Sequence, residues 1–352
     1  METNSLEFSF LSIFFFISFF ITLFVNKYFS KKGNILTDND FLKPQAFHSV
    51  ETPRSGGLAA ISSLIIFFVS QYYFFEIFMF DYFIISLSLF VIGFFDDIKI
   101  NFSPVKRLVL MIFILSICIY YFSINLVSVD LLFLNIWLSN KLFNLIFILL
   151  CFLFIINGAN LIDGFNGLLG IHILIINFIL LSINLNTAEL NFLLFLMAQI
   201  IILIIFLLFN FPKAKLFLGD GGSYLFGSLT VLNIINTNNV NYKISSFFFC
   251  VILFYLFFEV FFSFFRKLAF KRSPLRPDGN HLHMLTFRWL KKFNKFKNCN
   301  YLNSLLINLV YILLILPAMY FNDNGIFCRY WFFFLLSLYI YMYIKLYNSF
   351  QN

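Results

Sequence analysis

Apolar residues in this chain run in long unbroken stretches. They show neither the three- and four-residue spacing of an amphipathic helix nor the alternation of a half-buried strand. Eleven stretches stand out, near 8–25, 57–75, 81–95, 107–124, 141–157, 168–184, 190–210, 221–236, 246–265, 303–321 and 329–347. A helix crosses ~30 Å of hydrocarbon in about 20 residues, and all but two of the stretches approach that length. Helices satisfy their own backbone in lipid, and polar alternation is too sparse for a barrel. The pattern predicts an all-α polytopic membrane protein of about 11 transmembrane helices, one domain over residues 1–352. The first stretch is expected to persist as a span, because Glu2 and Glu7 precede it in place of lysines and no small-residue cleavage site follows.

Composition narrows the class. Hydrophobic residues make up 61% and charged residues 11%, against about 45–50% and about 25% in a globular chain. Disorder, collagen-like repeats and a soluble enzyme are excluded. The five cysteines stand far apart with no CxxC, so neither zinc site nor disulfide framework is indicated. The 58 Phe reflect codon bias as much as physics, since a bilayer accepts Phe or Leu almost equally. No nucleic-acid partner is expected.

Charge gives sidedness. With eleven spans and the N-terminus outside, the segments 26–56, 96–106, 158–167, 211–220 and 266–302 share one face with the C-terminus. Of the 24 Lys and Arg, all but Lys141, Lys243 and Arg329 fall on that face. The positive-inside rule makes it cytoplasmic.

The same face collects the polar chemistry. In Thr52-Pro53-Arg54-Ser55-Gly56-Gly57 the glycines permit close backbone approach and Arg54 offers a bidentate phosphate contact; a helix-start turn with one anchoring arginine reads the same letters. Asp96-Asp97 ends the third span. Adjacent carboxylates at a membrane edge repel unless a cation or substrate lies between them, and Mg2+ takes carboxylate oxygen together with substrate phosphates. A solvated interfacial pair is the plain alternative. Lys106 and Arg107 open the fourth span, as phosphate contacts or as surface anchors.

Asn160 and Asp163 lie three apart, on one helical face, with Asn166 and two glycines beyond them. In Phe217-Leu218-Gly219-Asp220-Gly221-Gly222-Ser223 an acid among glycines precedes a helix. Free N–H groups there suit an anion, and the carboxylate suits a metal bridging it. The longest loop carries Arg276, Asp278, His281 and His283. An HxH pair beside Arg and Asp binds phosphate, shuttles protons or ligates metal, and it also occurs as a surface accident. His172, inside the sixth span, reads as a buried structural histidine. Glu259 is the one acid deep in a span, a functional candidate by position, although it stands two turns from the basic edge at Arg266.

Taken in order, HSVETPRSGG (48–57), DD (96–97), NLIDGFNGL (160–168), FLGDGGS (217–223) and SPLRPDGNHLHM (273–284) resemble the polyprenyl-phosphate N-acetylhexosamine-1-phosphate transferase family, of the glycosyltransferase 4 type, over about residues 40–290. The resemblance implies a bacterial cytoplasmic-membrane enzyme whose active site is formed by the five cytoplasmic segments. The implied reaction moves an N-acetylhexosamine-1-phosphate, GlcNAc-1-phosphate or a deoxy relative, from a UDP-sugar to undecaprenyl phosphate. UMP is released, and O-antigen or wall-polymer synthesis begins. Mg2+ is the implied cofactor, with Mn2+ as its substitute. Beyond the two substrates, the implied partners are the lipid bilayer and a second copy of the chain.

Residue roles carry over by motif. Asp96 and Asp97 match the paired aspartates, one of them activating the lipid phosphate. Asp220 matches the principal metal ligand, joined by Asp97. Asp163 falls near the nucleotide and metal, and His281 and His283 near the diphosphate and sugar. The implied substrate contacts are Arg54, Gly56, Gly57, Lys106, Asn160, Asn166, Gly221, Ser223, Glu259, Arg276 and Asp278. TPRSGG with HLHM resembles the polysaccharide initiators, whereas the peptidoglycan enzyme typically carries TPTMGG and three histidines. Met284 replaces the third histidine, and Asn166 stands where some relatives have a second aspartate. Two alternatives remain: a phospho-MurNAc-pentapeptide transferase, and a secondary transporter, which would place ionisable groups near the midplane.

Overall fold

The computed structural model describes residues 2–31, 35–38, 51–100, 102–271, 273–274, 278–292 and 299–350. In chain order the described elements begin with α1 (Glu2–Phe29), a two-residue antiparallel pair β1 (Thr37–Asp38) and β2 (Thr52–Pro53), α2 (Gly56–Phe75), α3 (Phe80–Asp97) and α4 (Pro104–Tyr121). There follow α5 (Leu132–Leu138), α6 (Lys141–Ile162), α7 (Leu168–Asn184), α8 (Leu190–Asn210) and α9 (Gly219–Val240). The last are α10 (Ser246–Ile252), α11 (Phe254–Ala269), α12 (Leu282–Lys292), α13 (Cys299–Tyr320) and α14 (Gly325–Asn348). The protein is an all-α polytopic membrane protein.

Each of the eleven apolar stretches coincides with a helix, the ninth with the pair α10 and α11, which bends by 72°. Local signals set several ends. Asn140 caps α6 by accepting from the N–H of Leu142 and Phe143, and Ser103 caps α4 with Pro104 behind it.

By length and apolarity seven described helices suit a bilayer crossing, namely α1, α2, α4, α6, α8, α13 and α14, and the bent pair would make eight. The reading of eleven therefore exceeds what this criterion supports, and α3, α7 and α9 account for the difference. The clearest reason lies in α9. It packs against α2, α3, α6, α7 and α10, and nearly all of its length is buried. A helix that meets protein instead of lipid carries polar side chains without penalty, provided they pair. Asn233 Nδ2 donates to Gln199 Oε1 at 3.0 Å, and Asn184 Nδ2 to Thr237 Oγ1 at 2.8 Å.

Two described helices fall outside the eleven apolar stretches. α5 leaves Leu132, Phe133, Ile136 and Trp137 exposed, and α12 leaves Trp289, Lys291 and Lys292 exposed. Both lie in segments read as loops from the sequence.

Opposite ends of the bundle are tied separately. At one end, Asn239 and Asn238 at the close of α9 bond the backbone of 125–128, and the Ser245 hydroxyl meets Asp130. At the other, the start of α9 is surrounded by the termini of α2, α3, α4 and α6, and there the acidic motifs meet.

Candidate active site

The floor of the site is backbone. Phe217 N–H donates to Pro53 O, Gly56 N–H to Phe217 O and Gly57 N–H to Leu218 O, each at 2.8 Å. These bonds knit the TPRSGG segment to the FLGDGGS segment. The approach is too close for side chains: a Cβ on Gly57 would lie 2.4 Å from the Gly222 nitrogen. Gly219 adopts φ +78°, and a Cβ there would fall 2.7 Å from both Asp97 carboxylate oxygens. Glycine is required at both places by shape alone.

The start of α9 has no side-chain cap of its own, and Asp97 from the end of α3 supplies one. Its Oδ1 accepts the Asp220 N–H at 2.9 Å and its Oδ2 the Gly221 N–H at 2.8 Å. The two oxygens thus satisfy orphan donors at a helix N-terminus, where negative charge is favoured. The third-span and eighth-span motifs are joined at this point.

Arg107, on the first turns of α4, holds the neighbouring acids. Its Nη1 lies 2.8 Å from Asp220 Oδ2 and 3.1 Å from Asp96 Oδ2. Lys106, the residue expected to contact substrate, is exposed beside it. Arg54 reaches Asp38 of β1 through Nε and Nη2, at 3.0 and 2.7 Å, and its Nη1 stands 3.9 Å from Asp97. A cavity of about 510 Å3 opens here, lined among others by Asp38, Arg54, Asp96, Asp97, Lys99 and Phe102. The sequence marks Lys106 and Arg107 alike, and Asp38 not at all. The letters do not separate Arg107 from its neighbour or mark Asp38, because each acquires its role from partners along the chain.

Negative charge is in surplus, with Asp38, Asp96, Asp97, Asp163 and Asp220 sharing two guanidiniums. Asp96 and Asp97 lie beyond the apolar stretch that ends at residue 95. Burial, then the charge of Asp220, pushes Asp96 up to about 6 against the pull of Arg107. Burial and Asp220 also hold Asp97 well above the ordinary carboxylate range, although the Gly221 N–H and Arg54 oppose them. Half-buried Asp163 is raised by burial and by Asp220 and Asp97. Arg54 is raised above its ordinary value because the charges of Asp220, Asp38 and Asp97 and the Asp38 hydrogen bond outweigh its burial. Such a set suits a hard cation or a phosphate-bound one. Among the described residues no three such groups converge tightly enough to form a ready metal centre.

Asn160 on α6 reaches the same place: its Oδ1 accepts the Ser223 hydroxyl at 3.1 Å. Asn166 faces elsewhere. Its Nδ2 donates to Pro212 O at 3.0 Å, and its N–H donates to Asn300 Oδ1 at 2.8 Å, so it fastens the loop before α9.

A second cluster forms where α11 meets α12. Glu259 Oε2 is 2.9 Å from His281 Nδ1, and Oε1 is 3.2 Å from His283 Nδ1. Arg266 grips Asp278 through two nitrogens, at 2.8 and 3.2 Å. Phe165, from the loop after α6, packs edge-on against His283 with centroids 5.7 Å apart. The glycine-rich loop of Asp163 and the HxH motif are therefore neighbours. Arg276 lies outside the described residues. His172 is fully buried with Nδ1 3.2 Å from Asn308 Oδ1, the structural role expected of it.

Comparison with known proteins follows the same segments. The family model described as glycosyl transferase family 4 matches residues 79–238. That interval holds Asp96, Asp97, Arg107, Asn160, Asp163 and Asp220. An undecaprenyl-phosphate alpha-N-acetylglucosaminyl 1-phosphate transferase from Thermotoga maritima is 27% identical over 268 residues, 75% of this chain and 77% of that protein. A phospho-N-acetylmuramoyl-pentapeptide-transferase from Dictyoglomus turgidum is 31% identical over 159 residues, 42% of this chain and 49% of that one.

Proposed function

Taking residues 79–238 as a glycosyl transferase family 4 region, we propose that the chain transfers an N-acetylhexosamine-1-phosphate from a UDP-sugar to undecaprenyl phosphate and releases UMP. The observation that carries this reading is the meeting of four separated motifs at the N-terminus of α9. Asp97 caps that helix, Arg107 bridges Asp96 and Asp220, and Arg54 stands within 3.9 Å of Asp97.

Both proposed substrates are phosphate anions, and phosphoryl transfer needs positioning and charge neutralisation more than covalent chemistry by the protein. A prenyl phosphate oxygen attacks the β-phosphorus of the UDP-sugar in line. The new P–O bond forms as the bond to the UMP oxygen breaks, and the electron pair leaves with UMP. Arg54 and Arg107 bind non-bridging oxygens in this scheme. Asp96 orients the lipid phosphate, and Asn160 with Ser223 fixes the wall beside Asp220.

Mg2+ fits this donor set. Oxygens of Asp96 and Asp220 already converge on one nitrogen of Arg107, so two hard ligands face one point. Asp220 and Asp96 would hold the ion, and Asp97 less so because both its oxygens are engaged by backbone N–H groups. When bound, the ion supplies neutralisation of diphosphate charge.

The sidedness proposed is N-terminus outside and C-terminus cytoplasmic in a bacterial inner membrane, with α3, α7 and α9 also crossing. The test is UMP release by purified protein in detergent with Mg2+, undecaprenyl phosphate and a panel of UDP-sugars. Release with an amino-sugar, abolished by chelation and by Asp220→Ala, is expected. Release with UDP-MurNAc-pentapeptide alone would reassign the chain to the peptidoglycan reaction. Folded protein that is silent with every donor would overturn the reading.

A further inference from the structure

Glu259 is buried, 1% exposed, and so are His281 at 2% and His283 at 0%. Each oxygen of the one carboxylate meets a different ring, at 2.9 and 3.2 Å, both through Nδ1. The two rings lie nearly parallel, 18° apart, with centroids 5.5 Å apart. Asn303 Nδ2 donates to the His283 carbonyl at 2.9 Å, which fixes the motif's backbone. The Nε2 atoms of both histidines are buried and make no hydrogen bond among the described residues.

We propose that Glu259 is a positioning residue that holds both histidines in the Nδ1–H form, which leaves their Nε2 atoms as the ring positions that would meet a substrate oxygen when one reaches the cluster. An ionised carboxylate only accepts, so each Nδ1 that meets it carries a proton. Which ring nitrogen is free is set by the bond the other one makes. Both Nε2 atoms therefore point away from Glu259 as the working nitrogens. Among the described residues, the phenols of Tyr255 on its own helix and of Tyr339 and Tyr343 on α14 also stand near Glu259. Asp278 Oδ1 stands 3.5 Å from His281 Nε2, a long contact, and is already gripped by Arg266. The substrate side of the proposal rests on the transferase reading; the ring states do not.

The experiment is 15N-histidine NMR of the full chain in lipid, with signals assigned through His281→Asn and His283→Asn. In the wild type both rings are expected to be protonated at Nδ1. In Glu259→Gln the amide offers one acceptor and one donor, so one ring switches to Nε2–H with a bare Nδ1. A bare Nδ1 on either ring of the wild type, or two unchanged rings in the variant, overturns the assignment. If the Gln variant does not fold, Glu259→Asp gives the same test. One methylene shorter, it keeps the charge but leaves one ring without its acceptor, and a bare Nδ1 is expected there. With transfer activity in hand, Glu259→Gln and His281→Asn are each expected to lower kcat by about 10²-fold. The double variant should lose little more than the worse single one. Independent, multiplicative losses would contradict a shared unit.

Discussion

Asp97 and Asp220 are 123 positions apart in sequence, yet a carboxylate oxygen of the first accepts the backbone N–H of the second at 2.9 Å. The acid at the end of one helix is thus the N-cap of another. Asp97 couples the two motifs mechanically, since any tilt of α9 against α3 breaks this bond and the one to Gly221. It also aims the Asp220 side chain toward Asp96 and Arg107, because a residue on the first turn of a capped helix has a fixed direction.

Removing this cap is expected to show in stability as well as activity. Asp97→Ala leaves the N–H groups of Asp220 and Gly221 without their acceptor, at about 1–3 kcal/mol for a buried donor left unpaired. Asp97→Asn keeps one acceptor and should lie between the two. Asp96→Ala, which caps nothing, should lower stability less. Thermal unfolding in detergent orders the three, and an Asp97→Ala protein as stable as the wild type would remove the cap from the account.

Arg107 and Lys106 are neighbours with opposite fates, one bridging two carboxylates and the other exposed. Arg107→Met should lower UMP release by about 10²-fold, the scale of losing one oriented charge contact in a transition state. Lys106→Met should cost less. The same Arg107→Met protein should gain more thermal stability from added Mg2+ than the wild type does, because the ion then replaces a missing counter-charge. Equal Mg2+ shifts in both proteins would argue against that shared position.

Gly57→Ala tests shape without charge. The added methyl carbon would sit 2.4 Å from the Gly222 nitrogen and 2.7 Å from its Cα, both backbone atoms that cannot rotate aside. Overpacking of this kind costs about 1–3 kcal/mol, and here it would also push α2 off α9. A lowered unfolding temperature with loss of transfer is expected. Wild-type behaviour in both would show that the two helices part without consequence.

Much of this architecture was readable because a membrane span is a local statement. The eleven apolar stretches each became a helix. Count and contact were harder. α9 fails an apolarity test for the reason that makes it central, since Asn233 and Thr237 pair with side chains of α8 and α7 instead of meeting lipid. Motif spelling located Asp96, Asp97, Asn160 and Asp220 in one site, and it marked Asp163 and the HxH pair. It gave no means of telling Arg107 from Lys106, which is a matter of helix phase. Nor did it show that Asn166 turns toward Pro212, or that Glu259 spans two histidines.

The charge surplus at the site gives a pH dependence of stated sign. Burial and the neighbouring Asp220 raise Asp96 from 3.8 to about 6, so the folded protein holds this proton more tightly than the unfolded chain. The contribution of Asp96 to stability is therefore largest below 3.8 and falls as pH rises through about 6. Asp96→Asn removes the titration. Without divalent ions, the unfolding temperature of the wild type minus that of Asp96→Asn should fall between about pH 5 and pH 7. A cation placed between Asp96 and Asp220 binds the deprotonated form, so added Mg2+ should stabilise the wild type more at pH 7.5 than at pH 5.5 and flatten that fall. A difference that rises with pH in metal-free buffer would mean that Arg107 alone compensates both carboxylates, leaving no surplus for an ion to neutralise.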